Sequence, residues 1–226
     1  MSYILSIETT TPLCSVALHE DGELIATCES QEEGVHGKKL TRLIEQTLQE
    51  AGIHVKQLAA IAVSNGPGSY TGLRIGLATA KGLCFGLDIP LITLNTLHIL
   101  AAAWDKKTNK LLLPMIDARR MEVYATILDP QNESTIIETQ AVILEPDTFQ
   151  SIHQEIIAFG NGAMKWQESC LNQHIEFSEA HPFPEAKYMG LLAYEKFQKN
   201  TFAQIVTTEP NYLKEFMGTK PKTSRS

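Results

Sequence analysis

The chain has 226 residues, 43% hydrophobic and 20% charged, with 19 basic against 26 acidic side chains and a net charge of −7. These values fit a globular chain of one domain or two small lobes, large enough to bury a core without a disulfide or metal staple. They argue against a surface that grips a phosphate backbone alone, and no run of about 20 apolar residues offers a membrane-spanning helix.

The first residues, MSYILSIETT, have neither a basic start nor a long apolar stretch, so a cytoplasmic location is expected. The four cysteines, Cys14, Cys28, Cys84 and Cys170, form no C-x-x-C pair, and buried free thiols are expected at Cys14 and Cys28. Tyr3 to Ile7 reads as a short apolar strand. Leu13 to His19 alternates, and Asp21-Gly22 turns it back into Leu24 to Cys28. His36 to Ala51 is an amphipathic helix with Leu40, Leu43, Ile44 and Leu48 on one stripe, stopped by Gly52. Leu58 to Val63 reads as a buried strand, Thr71 to Gly86 as a helix and Pro90 to Thr93 as a strand. Thr96 then caps a helix reaching Trp104.

The second half repeats this order. Leu111 to Ile116, Glu122 to Leu128 and Thr135 to Val142 are strands, and Glu145 opens a helix. Ile156 to Phe159 is a strand, Ala163 to Leu171 helical, Ile175 to Phe177 a strand and Pro184 to Gln198 a helix. Sequential strands joined by tight turns pair antiparallel, while helical crossovers make parallel neighbours. The pattern predicts the duplicated actin-like ATPase (ASKHA, ribonuclease H-like) α/β fold, two lobes each with a mixed sheet and helices. Residues 1–105 are expected to form the first lobe and 106–183 a second, degenerate one. A helix over about 184–213 is expected to pack back near the first lobe, and 218–226 is expected to be a disordered basic tail.

The segment SNGPGSYTGLRIG, Ser64 to Gly76, follows an apolar strand with glycines at 66, 68, 72 and 76. Such a turn serves either phosphate cradling or close backbone packing. It is neither G-x-x-x-x-G-K-[ST], nor G-x-G-x-x-G, nor G-x-S-x-G. Its helical half carries Gly72, Gly76 and Ala80 at i, i+4 and i+8, flanked by Leu73 and Leu77 with Arg74 alongside. That stripe suits an internal helix contact or a subunit interface. Tyr70 is either an anchor of the same patch or core. In a duplicated fold the ends of the first strands face the cleft: Glu8-Thr9-Thr10 and Asp117-Ala118-Arg119-Arg120. Two acids there could hold a metal or act as acid and base. Against that, Pro12 lacks an N–H, and Arg119 and Arg120 stand where a phosphate turn wants glycine. The seven histidines contain no i, i+4 pair, and the position four after His36 is Leu40.

ILSIETT, HGKKLTRLIEQTL, SNGPGSYTGLRIGLATAKGL, DARRMEVYA and EPNYLK together resemble the bacterial TsaB (YeaZ) family, over the chain to about Leu213. The resemblance implies a catalytically inert relative of TsaD that forms homodimers or a heterodimer with TsaD. With TsaE it would support transfer of a threonylcarbamoyl group onto the adenosine next to the tRNA anticodon. It implies no cofactor of its own: ATP and metal belong to TsaD, the threonylcarbamoyl-adenylate comes from TsaC, and tRNA is met only through the complex. The paired-histidine metal motif of the enzymatic relative is reduced to His36 followed by Leu40, which implies no metal site and no protease activity. The family's usual first-strand Asp is Glu8. The resemblance assigns the helix of GPGSYTGLRIG to the dimer interface, with Tyr70, Gly72, Leu73, Arg74, Gly76, Leu77 and Ala80, and His36, Leu40 and Leu43 from its neighbour. A bulky residue at Gly76 is expected to abolish association and leave the fold largely intact. Glu8, Thr9, Thr10, Asp117, Arg119 and Arg120 are the residues that a weak nucleotide or cleft site would use. The competing expectation is a metal- or ATP-dependent enzyme of the same fold, an ATPase or a glycoprotease-like hydrolase.

Overall fold

The computed structural model describes residues 1–31, 36–104 and 107–214. Two tight turns fold the start of the chain on itself, so that β1 (Tyr3–Glu8), β2 (Cys14–Glu20) and β3 (Glu23–Ser30) pair antiparallel in sequence order. Helix α1 (His36–Ala51) and helix α2 (Tyr70–Leu87) are crossovers that bring β4 (Leu58–Ser64) and β5 (Leu91–Leu94) in parallel beside β1. The sheet order is β3-β2-β1-β4-β5. The near-continuous apolar character of β1 and β4 follows from cover on both faces. Leu5, Ile7, Ile61 and Val63 point toward Leu40, Leu43 and Leu77 of α1 and α2. Ile4, Ala60 and Ala62 point the other way, toward Met189 and Ala193.

The second sheet contains β6 (Leu111–Asp117), β7 (Glu122–Asp129), β8 (Ser134–Ile143), β9 (Ile156–Phe159) and β10 (Ile175–Phe177), in the order β10-β9-β6-β7-β8. Read from β6, this is the first sheet's connectivity with the same antiparallel and parallel pairs. The molecule has the duplicated, two-lobed actin-like ATPase fold.

The second lobe is barer than its sequence suggests. Residues 144–155 form turns where a helix from Glu145 was expected, because Phe149 sits at φ 60°, outside helical backbone. Buried Trp166 ties this segment down by donating from Nε1 to the Glu145 carbonyl at 2.9 Å. Between β9 and β10 only Met164–Trp166 make a short 3-10 turn, in place of the helix expected over 163–171. The last helix is also shorter than expected. A 3-10 turn (Ala186–Met189) leads into α4 (Gly190–Gln198), and Asn200 at φ 51° lies just past its end.

Helix α3 (Thr96–Ala101) packs across the lobe boundary drawn from sequence. Capped by Asn95 rather than Thr96, it buries Leu97, Leu100 and Ala101 against Leu112, Ile116, Ile157 and Phe159 of the second sheet. Its Ile99 packs on the first sheet with Ile4, Ala60 and Ile92, so α3 is shared between the two lobes. Helix α4, from the end of the chain, covers the back of the first sheet. The tail 218–226 lies outside the described residues.

Candidate functional site

Gly66, Gly68 and Gly72 of the Ser64–Gly76 segment are closed off by the chain's own backbone, and Gly76 by the Thr9 side chain. A Cβ on Gly72 would lie 1.9 Å from the Thr9 carbonyl oxygen, and one on Gly76 would lie 2.3 Å from Thr9 Oγ1. A Cβ on Gly68 would lie 2.6 Å from the Thr10 carbonyl, and Gly66, at φ +110°, would meet the Asn211 carbonyl at 2.6 Å. Thr9 Oγ1 donates to the Gly72 carbonyl at 2.8 Å, and Ser69 N donates to the Thr10 carbonyl at 2.7 Å. The first turns of α2 thus sit directly on the β1–β2 turn. This corrects the interface assignment of the stripe: Gly72, Leu73, Gly76, Leu77 and Ala80 are buried inside the protomer, and the contact is with a turn rather than a helix. The expected interface residues Leu40 and Leu43 are likewise core, 1% and 7% exposed. The His36 side chain lies outside what the structure describes. A bulky residue at Gly76 therefore disrupts the fold and cannot serve as an interface probe.

Between the lobes lies a cleft of about 490 Å³, walled by Thr10, Pro12 and Ser69 on one side and Asp117, Arg119 and Asn161 on the other. Tyr70, Tyr124 and Tyr212 also line it. Of the six residues proposed for a nucleotide or cleft site, Thr10, Asp117 and Arg119 reach this space. Thr9 is consumed beneath α2. Arg120 gives its carbonyl to Lys165 Nζ at 2.8 Å. Glu8 is fully buried: its Oε1 accepts from Thr10 N at 2.6 Å and Thr10 Oγ1 at 2.5 Å, while Oε2 has no hydrogen-bond partner. Burial pushes the Glu8 carboxyl up to about 7, partly offset by the two Thr10 bonds.

The second acid is also taken. Asp117 Oδ1 is ion-paired with Lys165 Nζ, which further donates to the Glu122 carbonyl at 2.7 Å, and it accepts from Arg119 N at 3.0 Å. Arg119 and Arg120 both stand at positive φ, 72° and 52°, a strained path for side-chain-bearing residues. One acid fully buried with its carboxyl pushed up and the other ion-paired with a lysine do not fit the open carboxylate pair a nucleotide-bound metal needs. Among the described residues no group of three or more His, Cys, Asp or Glu side chains comes together as a metal site. No helix there is long and apolar enough to cross a membrane.

The outward face of α2 carries a second small-residue row, Ala78, Gly82 and Gly86, again at i, i+4 and i+8. Cβ atoms added at Gly82 and Gly86 would meet nothing within 4 Å. Phe85 stands beside them 83% exposed. Arg74 belongs to this face at its cleft end, with its guanidinium 4.0 Å over the Tyr70 ring. Tyr70 is neither core nor part of the buried stripe; it pairs with Tyr212, ring centroids 4.8 Å apart.

The family model for "TsaD: tRNA N6-adenosine threonylcarbamoyltransferase" matches residues 31–223. The tRNA threonylcarbamoyladenosine biosynthesis protein TsaB of Haemophilus influenzae is 38% identical over 223 residues, 93% of each chain. Its Escherichia coli counterpart is 31% identical over 218 residues, covering 93% of this chain and 94% of the relative. The chain belongs to the TsaB (YeaZ) family. The solved structure of YeaZ from Pseudomonas aeruginosa superposes with a TM-score of 0.78 at 26% identity, covering 94% of this chain and all of that one. In this TsaB-family chain, sequence reasoning missed Lys165, which no motif marks. It also missed Phe85, whose place on the open face follows from helical spacing once the buried face is known. Tyr212 and Lys214 were in view within EPNYLK but carried no assigned role.

Proposed function

We propose that this TsaB-family chain is a non-catalytic scaffold subunit for threonylcarbamoylation of the adenosine next to the tRNA anticodon, binding and organising TsaD together with TsaE. The observation that carries the reading is the state of the two first-strand acids. Glu8 is fully buried and Asp117 is ion-paired with Lys165, so neither first-strand carboxylate is free in the cleft for metal-assisted phosphate chemistry. ATP and metal are then TsaD's to supply, and tRNA is reached through the complex, in keeping with the −7 charge.

The docking surface moves from the buried stripe to the open face of α2. Ala78, Gly82 and Gly86 let a partner helix come close, and Phe85 offers an aromatic anchor. The occupant is TsaD, whose own lobe of the same fold can present a matching helix; a homodimer of this chain in isolation would use the same patch. Phe85→Glu should abolish complex formation with TsaD on size-exclusion chromatography while far-UV circular dichroism stays unchanged. In a reconstitution with TsaD, TsaE and TsaC, modification should stop without this chain. A retained Phe85→Glu complex would sink the interface, and tight magnesium-ATP binding with turnover by the isolated chain would sink the scaffold reading.

A further inference from the structure

After α4 the chain runs back along the first lobe, where Ala203 N donates to the Leu91 carbonyl at 2.8 Å. It then reaches the cleft as the motif EPNYLK. Asn211 N donates to the Asn65 carbonyl at 2.8 Å, and the Asn211 carbonyl fills the place a side chain at Gly66 would need. The Tyr212 ring lies against Tyr70, and its hydroxyl accepts from Arg74 Nε at 3.0 Å. All of these anchors belong to the first lobe. Two residues later the side chain of Lys214 is ion-paired with Glu122, at the start of β7 in the second lobe. Glu122 follows the turn that Lys165 holds closed, since its carbonyl accepts from Lys165 Nζ. Residues 211–214 all line the cleft. The lobes are joined through the apolar contact of α3 with the second sheet, and these four residues add a polar and aromatic tie across the mouth.

We infer that Asn211–Lys214 is an interlobe latch: by holding one wall of the cleft through Tyr212 and the other through Lys214, it sets the angle between the lobes. Like a ligand held between two lobes, the chain's own segment touches both walls. Each tie is individually modest, a partly exposed ion pair (34% and 25% side-chain exposure) and a surface cation–π cluster, so the latch opens reversibly. The inference does not depend on the scaffold reading; it stands or falls on the geometry of the isolated chain.

Spin labels test it in the full chain. Cys170→Ser removes the partly exposed thiol, and Glu45→Cys on α1 with Gln140→Cys on β8 place one label on an exposed position of each lobe. The wild-type background should give one narrow interlabel distance. Tyr212→Ala with Lys214→Ala should broaden it toward longer distances and lower hydrogen-exchange protection of the Asn211 amide at least tenfold. Glu122→Gln, which removes only the second-lobe anchor, should broaden it less and leave Asn211 protection near wild type. An unchanged distribution in the double variant overturns the latch. If that variant fails to fold, an unchanged distribution in Glu122→Gln overturns it instead.

Discussion

Glu8 occupies the position from which an actin-like first strand would address a ligand, yet it addresses its own turn. Both Thr10 donors converge on Oε1, and burial holds the carboxyl at about 7 against an unfolded value of 4.5. A raised folded value means the native state binds the proton more tightly, so stability from this group is complete below about pH 4.5 and is lost as pH rises through about 7. The size is on the order of 3 kcal/mol across that window. Glu8→Gln keeps an acceptor for Thr10 and removes the titration. Urea denaturation at pH 5 and pH 8 should show the wild type losing stability and Glu8→Gln holding nearly level. Equal losses in both proteins would mean that Glu8 does not titrate in this range.

Helix α2 has two faces built from the same residue types for opposite reasons. The inner glycines admit the β1–β2 turn; the outer ones face open space. Alanine at Gly72 must displace the Thr9 backbone, a cost of about 3 kcal/mol or more. Alanine at Gly82, in an open mid-helix position, should instead stabilise the isolated chain by up to about 1 kcal/mol. Chemical denaturation of the two variants reads both signs. A destabilising Gly82→Ala would show that the outer face is already occupied within the folded chain or its homodimer. Helical periodicity made α2 itself legible from Thr71 to Gly86. Which face turned inward was not, because the buried stripe is decided by Thr9, more than sixty positions away in sequence. The helix expected from Glu145 failed for a related reason: its propensity was overridden by the burial of Trp166, which holds the Glu145 carbonyl.

The two halves are joined by exchange of helices rather than by a linker alone. Helix α3 of the first half buries Leu97 and Leu100 on the second sheet, and Met189 of the 3-10 turn and Ala193 of α4 in the second half are buried on the first. Neither half carries its complete core, so the full chain should unfold in one calorimetric transition with matching calorimetric and van't Hoff enthalpies. A fragment covering 1–105 should fail to fold cooperatively, since the back of its sheet, Ile4, Ala60 and Ile92, would be bare. Two separated transitions would contradict this.

The sequence alone determined where strands and helices lie in the first lobe, that the order repeats, and which family the motifs belong to. Those features rest on local periodicity, turn residues and short fixed spacings, all readable along one dimension. Only the tertiary structure decided what the glycines of GPGSYTGLRIG are for. Gly72, Gly76 and Ala80 and the outer Ala78, Gly82 and Gly86 have the same spacing, and spacing cannot say which row meets a backbone. That depends on the β1–β2 turn docking beneath α2, a contact between segments far apart in the chain, which leaves the open row and Phe85 as the surface for a partner.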